Sequence, residues 1–437
     1  LDMTLNGSEH IGVNNQNASS AKIKNSSFEI GSGTTKSNLI YANKDTETES
    51  VTFKVGSTTN GNNNGVHVNG SAKLTDKDSN YTVGGSKNNG IYSQSTGDIE
   101  VTNPTFTVSG DKNNGIHQTA AGKVTVKRAS LRTDGKKDFA VSGTNNNGII
   151  TNSTGDLKVE RLRFDVSGTT SGDPGAQNNA IYIKGNAATE IVGSAFTISG
   201  RDNNAVLVKG NKALDIKNNT SFDISGNENN GVYVDGTAST TAYTDYNSSF
   251  TVTGTNSNAV YAKKGAVELK GTSMDIQGTN NNGLIVFNKT DVTPVKVNSG
   301  SSFKVNKNNN GIFATHDSKI DEIKNTSFEV TDSAIGLLVG DNNTAKATVS
   351  TIENTTFNIT GTDANSDKSG TGIYMYNGDV TVGKNVVMTG DSNDIFITIR
   401  NRDYDNKINL DGDNGPDNIR LQANGNNNVG INIQNGD

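Results

Sequence analysis

The chain has no cysteine and no tryptophan. Absent cysteine excludes disulfide staples and thiolate metal sites. It also suits export through an oxidising compartment, where stray disulfides would hinder transit. No apolar run approaches the roughly 20 residues that a membrane helix needs. Hydrophobic residues make up only 31% and mean hydropathy is −0.58, a balance that alone would point toward disorder. Net positive charge is also lacking: at −6 the chain does not read as a general nucleic-acid binder. Catalytic signatures are missing too, with no H-E-x-x-H, no P-loop and no G-x-S-x-G.

What is present is a repeat. Asn-Asn-Gly-Ile or a close variant recurs, with its Gly or Ala at 65, 90, 115, 148, 180, 205, 231, 259, 283 and 311. The steps are 25, 25, 33, 32, 25, 26, 28, 24 and 28 residues. A chain of 437 residues could hold two or three ordinary domains. A period near 25 residues predicts a stacked solenoid instead, with 1–437 as one continuous segment. Degenerate coils are expected over 1–60 and 330–437. With the weaker copies at Ile11, Ile40, Leu337, Ile373 and Ile395, about 15 coils are expected at this period. Leu1 starts mid-pattern without a signal peptide, as expected of an excised or processed segment.

One coil, residues 178–204, reads as three short strands. Ala180 to Ile183, Thr189 to Val192 and Ala195 to Ile198 are apolar or β-branched, and Gly and Asn punctuate them. No window carries the 3.6-residue period of an amphipathic helix. The third strand bears Phe-x-(Ile/Val), and eleven of the 14 phenylalanines stand in it: 28, 53, 106, 139, 164, 196, 222, 250, 303, 328 and 357. Tyr81, Met274 and Val386 read as taking the same place. Strands stacked about 4.8 Å apart would turn these rings into an internal column. The corner asparagines are expected to adopt the left-handed conformation and to hydrogen-bond from coil to coil as a ladder. The fold expected is all-β, a right-handed parallel β-helix.

Strand alternation then places one residue of the first strand outside. These residues are Tyr41, His67, Tyr92, His117, Ile150, Tyr182, Leu207, Tyr233, Tyr261, Ile285, Phe313, Leu338, Tyr374 and Phe396. An apolar outer row marks an interaction surface, and Tyr92, Tyr182, Tyr233, Tyr261, Phe313 and Tyr374 are its candidate binding residues. The other reading is that the aromatics support one another along a sheet or lie under another segment of the parent protein. A basic cluster, including Lys127, Arg128, Arg132 and Arg161, could hold an acidic glycan or could be a solvated charged face. Swollen loops, 169–177, 236–248 and 361–371, are further candidates. His10, His67, His117 and His316 fall in different coils, with His67 and His117 two coils apart. No cofactor and no metal are expected. Asp411, Asp413 and Asp417 only vaguely resemble a calcium loop and read better as an acidic turn.

With strands, corners and columns in hand, the chain resembles the passenger of a type V autotransporter, close in flavour to the large fusobacterial outer-membrane adhesins. The Asn-Asn-Gly-Ile-Tyr and Ser-Phe-x-Ile-x-Gly coils, in a Cys-free background rich in Lys, Asn and Thr, carry the resemblance across essentially the whole chain. It implies a non-enzymatic, monomeric adhesin segment at the cell surface, attached through a C-terminal β-barrel absent from this chain. The implied partners are host-cell or bacterial surface proteins or glycans. The serine-protease passengers of that family carry Gly-Asp-Ser-Gly. Here Gly390-Asp391-Ser392-Asn393 lacks the last glycine, so that activity does not carry over. A non-binding stalk and a β-helical polysaccharide-degrading enzyme are the alternatives.

Overall fold

The structure is a computed structural model. It describes all residues except 18, 57–59, 169–176, 237–241, 288–293, 316, 342–345, 362–369, 402–405, 413–417, 426 and 436–437. The described residues form short strands and no helix. Short β-branched and aromatic runs, many closed by Gly, Asn or Ser, are too brief and too regularly interrupted for a helical turn to propagate. The coil at 178–204 has strands Asn179–Ile183, Thr189–Val192 and Ala195–Ile198, close to the bounds expected from sequence. Successive copies of each strand pair in parallel, which gives three sheets. We call them the asparagine sheet, the third sheet and the phenylalanine sheet, in the order the chain visits them within a coil. The arrangement is a right-handed three-stranded parallel β-helix.

The chain divides into two units, Leu1–Ser221 and Phe222–Asp437. In the first, each sheet has eight described strands. In the second, the asparagine and phenylalanine sheets also have eight. One of these, Val429–Asn435, is a rung that the sequence reading did not place.

Inside each unit the phenylalanine sheet contributes the widest column. In the first, Phe28, Phe53, Tyr81, Phe106, Phe139, Phe164 and Phe196 are in register and fully buried. Their neighbouring rings lie 4.4–5.8 Å apart and within 15° of parallel. In the second, Phe250, Met274, Phe303, Phe328 and Phe357 are aligned likewise. The residue that follows Phe357 in this column is Met388, not the expected Val386. The two-residue shift follows from the strand at Val387–Gly390, which leaves Val386 buried just ahead of it.

The asparagine corner works differently from the expectation. Neither Asn of the pair has positive φ; in most coils the residue before the pair does, as at Lys87 (59°), Lys112 (56°), Asn145 (61°) and Asn280 (56°). The pair forms two ladders. The first Asn is fully buried, as at Asn63, Asn88, Asn113 and Asn146. Its Oδ1 accepts the backbone N–H of the matching residue one coil earlier: Asn88 from Asn63 at 3.0 Å, Asn113 from Asn88 at 2.8 Å, Asn146 from Asn113 at 2.7 Å. Its Nδ2 donates to corner carbonyls, as Asn113 does to Gly85 at 2.9 Å. The second Asn runs an amide-to-amide ladder, with Asn89 donating to Asn64 at 2.8 Å and Asn114 to Asn89 at 2.9 Å. The small residue that follows leaves room for the column: a Cβ on Gly90 would lie 2.7 Å from the Gly115 carbonyl oxygen and 2.8 Å from the Phe106 ring.

Candidate binding face of the asparagine sheet

Register tests the outer row directly. Tyr41, His67, Tyr92, His117, Ile150, Tyr182 and Leu207 pair in sequence in the first unit. Tyr233, Tyr261, Ile285, Phe313, Leu338 and Tyr374 do so in the second. His67 and His117 are two coils apart, with Tyr92 between them. The row differs from the expectation at its ends. Asn14 precedes Tyr41, because Val13 rather than Ile11 aligns with Ile40. Thr398 follows Tyr374, because Ile397 rather than Ile395 aligns with Ile373.

Phe396 is therefore not in the outer row; it is 2% exposed and stands where other coils have Gly or Ala. The cause is local. Gly390 replaces the Ile359 of the coil before, and the Phe396 ring fills the space, 2.5 Å from where a Gly390 Cβ would be. Moving a bulky ring from the outer row to the interior keeps that coil packed.

The row is outward but not bare. Its tyrosines, histidines and Phe313 are half-buried, and Ile150 and Leu207 are buried. The side chains shelter one another. Tyr41 meets His67 edge-on at 5.1 Å, Tyr92 lies 5.0 Å from His67 and 5.3 Å from His117, and Tyr233 stacks on Tyr261 at 4.9 Å. Polar residues two positions on tether the rings. Asn69 donates to the Tyr41 hydroxyl at 2.9 Å, Gln94 pairs with His67 Nε2 at 2.9 Å, and Asn152 with His117 Nε2 at 3.1 Å. Burial lowers both histidines, His117 to about 4 with help from Lys184. Both imidazoles are neutral at pH 7 and act as rings and hydrogen-bonding groups rather than cations. Burial pushes Tyr233 up to about 12, with nearby Asp235 adding to the shift, and raises Tyr261.

The basic cluster is occupied from within. Asp138 is fully buried beside the Phe139 ring position. Its carboxylate accepts from Arg128 Nε and from the Arg163 backbone N–H at 2.8 Å, with Arg132 Nη1 at 3.6 Å. Arg128 also donates to the Pro104 carbonyl at 3.1 Å, and Arg132 pairs with Asp134 at 2.6 Å. Arg161 donates to the Arg128 carbonyl at 2.7 Å and meets Glu160 at 3.2 Å; Lys127 meets Glu100 at 2.6 Å. A buried carboxylate is costly unless paired, and this one sits under the longer coil that carries residues 128–138. Sequence reading saw the arginines and missed Asp138, their reason for clustering. The one signal was that this coil alone puts Asp directly before its Phe.

The remaining candidates carry little. A groove on the third sheet, lined by Asp156, Lys158, Glu190, Asp215 and Lys217, holds carboxylates, but lysines interleave them: Lys158 meets Glu190 at 3.6 Å, and Lys217 meets Glu190 at 3.1 Å and Asp215 at 3.4 Å. No group of three or more metal-ligating side chains exists among the described residues. Of the acidic turn, Asp411 is described, its backbone N–H donating to the Val382 carbonyl at 2.8 Å; Asp413 and Asp417 lie outside the described residues. His316 and most of the swollen loops, 169–176, 237–241 and 362–369, also lie outside them.

Comparison with family models, curated proteins and solved structures gives no match.

Proposed function

We propose that this chain is a segment of a cell-surface adhesin, a β-helical passenger that binds a surface protein or glycan through the outer face of its asparagine sheet. One observation carries the reading. Nearly every coil spends its outer row position on Tyr, His or a large aliphatic residue, in a chain with only 31% hydrophobic residues. A β-helix needs its apolar residues inside; an outer row of this kind is surplus to the core. Tyrosine offers wide contact, little rotamer entropy to lose and a polar tip, the properties favoured at binding surfaces. The parallel sheet supplies a rigid backing, and the amide ladder beside the row fixes its spacing.

The test uses the whole chain and two variants, Tyr92→Ser with Tyr182→Ser, and Tyr233→Ser with Tyr261→Ser. Binding to epithelial cells and to other bacteria is measured by flow cytometry, with far-UV circular dichroism as the folding control. Loss of binding in either folded variant supports the reading; equal binding in both overturns it. The mutual sheltering of the rings favours a second reading, a stalk whose binding tip lies elsewhere in a larger protein. Under that reading the purified chain binds nothing, while the longer parent does.

A further inference from the structure

We infer that the concave stretch of the outer face around Lys87 and Lys112 binds a carboxylate-bearing pyranose, a uronic or sialic acid within an acidic oligosaccharide. This rests on the adhesin reading and gives it a ligand class. The hollow has a volume of about 350 Å³, within the span of small-ligand sites. Three kinds of group converge on it.

Charge comes first. Lys87 and Lys112 occupy the left-handed corner position of successive coils, and both are exposed. Strand spacing puts their backbones about 4.8 Å apart. Lys112 lies 3.5 Å from Asp111 and Lys87 makes no ion pair among the described residues, so one carboxylate stands beside two ammonium groups and the pair keeps a net positive charge. An anion between them relieves their repulsion. The same corner is Asn62 and Asn145 in the flanking coils, Lys36 one coil before Asn62, and Asp202 and Glu228 farther along. Two lysines in successive corners are thus a local departure from the repeat and not a property of the corner.

Amide donors come second. Asn89 and Asn114 each use one Nδ2–H in the ladder, at 2.8 and 2.9 Å. An amide nitrogen carries two, and the second N–H on each is left for ring hydroxyls. The ladder holds both amides in a single orientation, so little ordering entropy is lost on binding. The third element is a ring. Tyr92 stands in the hollow, braced by His67 on one side and His117 on the other, and offers an apolar face for the C–H side of a pyranose. His117 is neutral and adds no charge. Paired cations, fixed amides and a braced aromatic ring together fit an acidic sugar better than a peptide, which would need strand edges or deeper side-chain pockets.

The experiment titrates the whole chain by calorimetry at low salt with four probes: a galacturonate hexasaccharide, sialyllactose, neutral maltohexaose and hexaglutamate. One or both acidic sugars bind, which identifies the source of the carboxylate, while maltohexaose and hexaglutamate do not. In the double variant K87Q/K112Q and in Tyr92→Ala, that affinity falls at least tenfold; Lys304→Gln, an exposed lysine on the phenylalanine sheet, leaves it unchanged. Neither acidic sugar binding, equal binding of maltohexaose or hexaglutamate, or wild-type affinity in a folded K87Q/K112Q overturns the inference. Cell binding separates this from the adhesin reading. If the chain binds cells and K87Q/K112Q binds them equally, the sugar site fails alone; if the chain binds no cells, the adhesin reading fails whatever the sugars do.

Discussion

The two aromatic columns of the molecule differ in how their rings meet. Inside, the phenylalanines lie nearly parallel; Tyr81 and Phe106 are 7° apart, and Phe222 and Phe250 are 2° apart. Outside, Tyr41 and His67 stand at 89°, and Tyr92 tilts 47° from His117. Both columns repeat one position per coil at the same strand spacing. The inner rings are pinned by packing on every side, so backbone repetition becomes ring repetition. The outer rings are pinned on one side only and settle their angles through local handles such as Asn69, Gln94 and Asn152. Inner rings are therefore interchangeable parts of a core, whereas each outer ring has its own neighbourhood. Stability belongs to the first column, and any selectivity belongs to the second.

The sharpest way to break this contrast is a pair of truncations one sheet apart. Phe106→Ala removes a ring stacked on both sides and is expected to cost about 3–5 kcal/mol. Tyr92→Ala, on the outer face, is expected to cost well under that, roughly 1 kcal/mol. Urea unfolding with hydrogen exchange reads both, since a solenoid can confine the loss to neighbouring coils. An unchanged melt for Phe106→Ala would remove the basis for calling the inner column the seat of stability.

A second test uses a polar intruder among the inward residues. Asp76 is fully buried, accepts a hydrogen bond from Thr48, and aligns with Thr48 and Val101 on the third sheet. Burial pushes its pKa up to about 6 from near 3.8, against the pull of the Ser79, Thr48 and Tyr81 hydroxyls. Between these two values the folded chain holds the proton that the unfolded chain has released. This residue's contribution to stability therefore falls as pH rises from about 4 to about 6, by no more than about 3 kcal/mol. Asp76→Asn lacks that slope, so its stability relative to the parent should rise across the window and level off above it. Melts in a pH series check this; a constant difference between the two proteins would mean Asp76 is not held as a buried acid.

The smallest contrast separates the two asparagine ladders. Asn113→Ala leaves the buried Asn88 N–H without its acceptor, a loss of about 1–3 kcal/mol. Asn114→Ala removes a half-buried ladder amide that water can partly replace, and is expected to cost about 0.5–1.5 kcal/mol. Equal losses on denaturant titration would erase the distinction between inner and outer asparagine.

Periodicity made the fold legible. Eleven phenylalanines in one strand position and Asn-Asn before a small residue are enough to phase three strands per coil, and the outer row follows from alternation wherever the phase holds. Phase fails where a coil is rebuilt. Ile11 and Ile395 look like the inward residue of their strands, but each sits two places early, and Phe396 goes inside to fill the gap at Gly390. A one-dimensional pattern cannot show such a trade between neighbouring strands. The arginine cluster is the second failure. Composition reports a patch of positive charge, but its meaning depends on Asp138, and burial of a single carboxylate is a property of packing. Lys87 and Lys112 were legible only after the coil was built, because left-handed corners are defined by geometry rather than by residue type.

The inner asparagine ladder has a direction. Each buried Asn reaches back to the coil before it, and its Oδ1 closes that coil's backbone donor. A coil appended on the C-terminal side of a stack must bring the cap for its predecessor, whereas one laid on the N-terminal side finds its cap already in place. The two ends of such a stack are chemically unlike: one offers an acceptor, and the other holds an unanswered donor.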